Sequence, residues 1–317
     1  MSTAVQAPFN TTPAYSGTFI PTLWSGKMNV KFYLTTVFGE IANTDYEGEI
    51  KGLGDQIIIN NVPDVTVSDY VVGQTLSYQV PVPNKVSLNI NYAKLFAFQV
   101  NDVLDHQASP RLMDVFSGDA AKKMAIAIDR SVLLNTFNQG AAANRGATAG
   151  QIAGAYNLGT DSVPVTLTAT NVLPLVTNLA STLDEQNVPD DDRFIVIPPY
   201  MRSLFMQSPL AQAYVTGDSQ SILRNGKIGT IDRFTIYVSN ALPTALAAQD
   251  FFGNTQAGAV ARTAVMAGQK SAITFASQMA KMESLPNPND FGQLIRGLNV
   301  YGFQVVKPEA LALALVK

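Results

Sequence analysis

The chain has 317 residues, is 47% apolar and only 14% charged, and carries a formal net charge of −3. Such a composition excludes intrinsic disorder; a charged share so far below the usual ~25% points to surface buried in a core or against other subunits. No cysteine and a single histidine exclude disulfides, iron–sulfur clusters, thiolate zinc and multi-histidine metal sites.

The length predicts about two compact units. Neither half is basic: residues 1–160 hold 10 basic and 12 acidic residues, and 161–317 hold 11 and 12. A clustered positive footprint for gripping nucleic acid is therefore not expected. The N-terminus lacks the basic and apolar regions of a secretion signal. Apolar runs such as 311–316 fall far short of the ~18 residues of a membrane helix.

Residues 1–18 are uncharged and rich in Thr, Ser, Ala and Pro, and read as an extended arm. Leu23, Val30, Leu34, Val37 and Ile41, with Trp24 and Met28 beside them, predict a helix over 21–41. From 45 to 92 the period becomes two. Val65 and Val67, then Leu76, Tyr78, Val80 and Val82, then Val86, Leu88, Ile90 and Tyr92, alternate with polar residues. Pro63, Pro81 and Pro83 mark these as edge strands. A ribbon with so little core of its own is expected to pack on something else, such as a neighbouring subunit.

Phe96, Phe98 and Val100 form a short strand. Ser109-Pro110 then opens a long helix reaching about Asn138. Five glycines over 139–163 read as a flexible loop between two units. Thr170 is expected to cap a helix carrying Val172, Leu175, Val176, Leu179 and Leu183. Strands at 194–197 and 234–238, with a short helix at 198–206, make an α/β unit. The tail reads as strands at 263–267, 272–279, 298–306 and 311–316.

Sites of chemistry are scarce. Asp190-Asp191-Asp192 is a dense acidic cluster, but no metal-loop spacing follows and a turn is favoured. His106, beside Asp102 and Asp105, has no nucleophile-elbow motif to serve. Gly52-Leu53-Gly54 and Gly226-Lys227 both fail the phosphate-binding patterns. Asn10-Thr11-Thr12 matches a glycosylation sequon that carries little weight without a secretion signal. Lys122, Lys123 and Arg130 read as a solvated helix face with Asp119 and Asp129 nearby.

Several stretches, in order, resemble the major capsid proteins of tailed bacteriophages with the HK97-like fold. The loop at 64–74 (Asp64-Val65-Thr66-Val67-Ser68-Asp69-Tyr70, then Gly73-Gln74) looks like the extended loop of that family. Residues 93–102 are similar to the strand before its spine helix. Residues 192–199 and 229–240 resemble two strands of its axial domain, and 291–302 with 307–311 its closing strands. The resemblance implies an α+β fold with an N-terminal arm (1–44), an extended β-hairpin loop (45–92) and a peripheral domain (93–165 and 262–317). The spine helix would run over about 110–138, and the axial domain over 166–261.

The implied role is mechanical, with no enzyme activity, no cofactor and no metal. Copies would form hexamers and pentamers of an icosahedral shell around double-stranded DNA, held without specific binding. Trp24, Asp64, Val65, Val67, Tyr70, Leu76 and Tyr78 are the expected inter-subunit contacts. A separate scaffolding protein, a portal and a decoration or cement protein are the implied partners. The implied location is the virion capsid, assembled in the host bacterial cytoplasm. Some relatives crosslink a loop lysine, and Lys51 and Lys85 lie in or beside the loop, though nothing in the sequence marks them as reactive. The alternatives are an encapsulin-type nanocompartment enclosing cargo enzymes, and an α/β enzyme, against which stands the lack of any convergent acid, base or nucleophile.

Overall fold

The computed structural model describes residues 36–45, 56–60, 63, 65–69, 71–75, 78–81, 83, 85–101, 112–208 and 229–317. Residues 21–35 of the helix expected over 21–41, the helix start at Ser109-Pro110, His106 and both glycine motifs lie outside them.

What is described of the first helix is one turn, α1 (Phe38–Ile41). Val37, Ile41 and Ala42 are buried, because this turn is seated on the main core. Strands β1 (Gln56–Asn60) and β2 (Lys85–Asn89) pair antiparallel, with Ile57 opposite Leu88 and Ile59 opposite Val86. Between them, residues 65–69 and 78–81 carry no strand pairing, contrary to the alternation read from the sequence. Period two places side chains on two faces. It supplies no partner for the backbone, and the described residues of this segment join no strand ladder with other described residues.

Strand β3 (Tyr92–Asn101) is longer than the run of aromatics suggests. It pairs with β10 (Gly292–Val305), which pairs in turn with β9 (Ile273–Pro286). These last two strands form a hairpin of 14 residues a side, about 46 Å long at 3.3 Å per residue. The long helix α2 (Leu112–Thr136) crosses this sheet with 25 residues, or about 37 Å. Phe98 meets Phe116 edge to face at 6.1 Å. The buried Ile128, Val132 and Leu133 turn α2 into the core.

The glycine-rich segment after α2 is packed, not loose. The buried Asn144 amide donates to the carbonyls of Glu309 (2.6 Å) and Leu311 (3.1 Å), and Ala149 exchanges backbone bonds with Tyr156. Gly159 is required: its φ is +84°, and a Cβ there would lie 2.3 Å from the Leu315 carbonyl oxygen. Gly140 and Gly159 allow close approach to the strand β11 (Leu311–Val316), a reading the sequence signal for flexibility concealed.

Helix α3 (Val172–Glu185) has Asn171 at its N-cap, one residue past the expected Thr170, and the turn before it closes back to Thr168. The Thr168 amide donates to Asn171 Oδ1 (2.7 Å) and the Asn171 amide to Thr168 Oγ1 (3.3 Å), a reciprocal box. It ends in a Schellman motif. Asn187 (φ 56°) donates to the Asp184 carbonyl and Val188 to that of Leu183. Strand β4 (Arg193–Ile197), helix α4 (Pro199–Gln207) and strands β5 (Thr230–Ile231), β6 (Phe234–Val238), β7 (Thr244–Ala245) and β8 (Arg262–Gln269) follow. The order β11-β8-β4-β6-β5, with β7 on β8, makes one six-stranded sheet. Among the described strands only β4 and β6 run parallel, as the crossover through α4 requires. The stripe Val172, Val176, Leu179 and Leu183 lies in the same buried core as these strands.

Candidate functional site

The acidic cluster resolves into a structural junction. Arg193, whose side chain is fully buried, reaches Asp184 Oδ1 at 2.7 Å and Asp190 Oδ1 at 3.0 Å. Arg233 reaches the same two carboxylates from the surface at 2.7 and 2.6 Å. Arg233 is held there by a tight turn between β5 and β6, in which Asp232 and Arg233 both have positive φ. The network joins the end of α3, the start of β4 and the β5–β6 hairpin. Burial pushes the Asp184 carboxyl up, but hydrogen bonds from Arg233 and Arg193 outweigh it and hold the group below the ordinary carboxylate range. Among the described residues, no group of three or more metal-ligating side chains occurs. On α2, Lys123 pairs with Asp119 at 3.1 Å.

The feature that stands out is an exposed apolar segment. Its root is firm: Ile59, Leu88 and Ile90 are buried against Ala276, Val300 and Val306 of the long hairpin and its exit. Beyond the root the pattern inverts. Val67 is 92% exposed, Val72 90%, Tyr78 87% and Val80 85%, with Val65 and Val71 also exposed. The two limbs touch where the Thr66 amide donates to Gln79 Oε1 (3.0 Å). The tip turns at Val71–Gln74, where the Gln74 amide donates to the Val71 carbonyl (3.0 Å). Gly73, at φ +89°, supplies the left-handed third position of this turn. Among the described residues of 63–83, Asp69 alone is charged. Of the expected contact residues, Val65, Val67 and Tyr78 are thus together and exposed, whereas Trp24, Asp64, Tyr70 and Leu76 lie outside the described residues.

A second exposed face was not foreseen. The register puts Leu95, Leu298 and Lys281 side by side, then Ala97, Arg296 and Glu283, on the sheet face turned away from α2. Glu283 bridges Lys281 and Arg296, each at 2.5 Å, over an apolar floor in which Leu95 is exposed. Phe291 stands exposed beside the hairpin turn. The missed signal was the run Pro286-Asn287-Pro288-Asn289-Asp290, a turn that pairs the residues on either side of it.

A family model described as phage capsid protein matches residues 92–314. No curated protein sequence matches. Among solved structures, a chain from Mycobacterium phage Che8 is 24% identical with a TM-score of 0.72, covering 94% of this chain and 98% of its own. A chain from the capsid structure of the cyanophage P-SCSP1u is 17% identical with a TM-score of 0.70, covering 97% and 99%. A chain from the capsid of Myoviridae phage XM1 is 13% identical with a TM-score of 0.60, covering 95% and 100%. The shared fold is the α+β, HK97-like capsid fold.

Proposed function

Because this chain belongs to the phage capsid protein family, we propose that its copies assemble as hexamers and pentamers into an icosahedral shell enclosing double-stranded phage DNA. It is a structural major capsid protein of the virion and not an enzyme. We assign residues 1–44 to an N-terminal arm and 45–92 to an extended loop. Residues 93–165 and 262–317 form the peripheral domain around the spine helix, and 166–261 the axial domain. The six-stranded sheet runs across the last boundary, so the two domains share a core.

The observation that carries the assembly reading is the exposed segment at 65–81. Six large apolar side chains on a nearly uncharged segment with a buried root are stable only against another surface. We assign that surface to a neighbouring copy, with Val65, Val67 and Tyr78 as contacts and Trp24, Asp64, Tyr70 and Leu76 as further candidates. Each contact is modest, so defects correct before closure, while the closed ring gains from many contacts at once. The near-balanced charge suits a container that must not grip its contents. Assembly in the host cytoplasm with separate scaffolding, portal and decoration proteins completes the reading.

The test is negative-stain electron microscopy of the chain produced alone and with its genomic neighbours. Icosahedral shells, or free hexamers and pentamers, are expected. A uniform monomer in both preparations would refute the assembly. An encapsulin-type compartment would show enzymes inside the shell where a phage shell holds DNA.

A further inference from the structure

Asp129 lies on α2 and is completely buried. Its Oδ1 accepts from the amides of Val37 (3.1 Å) and Phe38 (2.9 Å), the residues that open α1. Its Oδ2 is buried and has no hydrogen-bond partner among the described residues. The far end of the same segment is fixed separately. The Asn43 amide donates to the Ile273 carbonyl and the Phe275 amide to the Asn43 carbonyl, both at 2.8 Å. Phe38 packs on Phe275 with ring centroids 5.0 Å apart. Residues 36–45 thus form a short strap across α2 and β9, pinned at one end by a carboxylate and at the other by a backbone bridge.

We propose that Asp129 is a proton-operated latch for this strap: the neutral carboxyl seats residues 36–45 more tightly than the carboxylate. A buried charge whose second oxygen meets no donor among the described residues carries a desolvation cost. Two amides on the other oxygen offset that cost only in part, and a proton removes the charge while leaving Oδ1 to accept. Burial raises the Asp129 carboxyl above its ordinary value, against the two amide bonds and the charge of Arg130, which pull it down. The seated strap therefore binds the proton more readily than the released one. Seating is complete at low pH and weakens as pH rises through the raised value.

Titratable groups also stand on the elements packed against α2. On the strap, Asp45 bonds Asn43, and the field of Glu40 falls on Tyr237. On β10, Arg296 pairs with Glu283, and burial holds the Tyr301 phenol neutral. On β3, Tyr92 stacks on Phe303 at 4.6 Å, and Lys94 lines a groove with Asp119.

The test is hydrogen exchange at the Val37 and Phe38 amides in the full chain, from about pH 4.5 to 8, corrected for intrinsic exchange. In the unsubstituted protein, protection of these two amides should fall as pH rises. In Asp129→Asn, which keeps a neutral acceptor, protection should be independent of pH. In Asp129→Ala it should be lost at both amides and kept at Asn43 and Phe275. Should the alanine variant fail to fold, the asparagine variant decides the matter. A flat or rising profile in the unsubstituted protein, or an equal slope in Asp129→Asn, would overturn the proposal.

Discussion

The double substitution Val67→Asp with Val72→Asp separates folding from assembly. Both valines are at least nine-tenths exposed in the single chain and neither touches its core. Surface changes of this kind shift subunit stability by no more than about 0.5 kcal/mol. If both side chains are covered by a neighbour, each loses about 1.5 kcal/mol or more of apolar burial. A carboxylate trapped without a partner adds a further penalty of about 1–3 kcal/mol or more. For the two side chains together the sum is at least about 5 kcal/mol, or more than about a thousandfold in affinity at 1.4 kcal/mol per decade. A capsomer ring repeats the loss at every joint, so closed shells should vanish. Urea denaturation of the unassembled subunit reads the first quantity, and sedimentation velocity with electron microscopy reads the second. Normal shells from the variant would show that the segment is not an interface. A drop of more than about 1 kcal/mol in subunit stability would show that it already packs within its own chain.

Three further outcomes follow from the same geometry. Leu88→Ala should cost about 2–5 kcal/mol by opening a cavity where the ribbon root meets Ala276 and Val300, read as a lower urea midpoint at unchanged slope. Gly159→Ala should cost about 1–3 kcal/mol from the left-handed backbone alone, and more from the clash with Leu315, as a thermal melt would report. Asp184 has a depressed folded value, so it contributes stability above its unfolded value that is lost as pH falls through the folded one. Denaturant midpoints of the native chain should therefore decline in acid, with a shallower decline in Asp184→Asn; parallel curves would remove Asp184 from the acid response.

Much of the architecture was written locally. The stripe Val172, Val176, Leu179 and Leu183 and the continuous apolar runs of β4 and β11 name a helix packed on a buried sheet, because burial on one or both faces dictates those periods. Other features depended on partners remote in sequence. Gly140 and Gly159 look flexible until the backbone of β11 is placed against them. The outer half of the β9–β10 hairpin, with Lys281, Glu283 and Arg296, is too polar for a core strand, and its cross-strand pair of Glu283 with Arg296 is one that no single-strand pattern reveals. Asp129 reads as a surface charge on a helix, yet it serves two amides 91 and 92 residues away. The exposed valines were legible as a half-wet ribbon, but the absence of strand pairing was not, since alternation describes faces and leaves the backbone's partner open.

The prolines that punctuate the exposed segment have a consequence for solubility. A valine-rich, nearly uncharged stretch whose described residues join no strand ladder is the composition from which cross-β fibrils grow, and shell building demands high local concentration. Pro63, Pro81 and Pro83 cannot donate to a ladder, so two such segments meeting edge to edge cannot propagate pairing past them. The segment thereby stays open to side-chain docking on a shaped surface while its route to stacked strands is blocked.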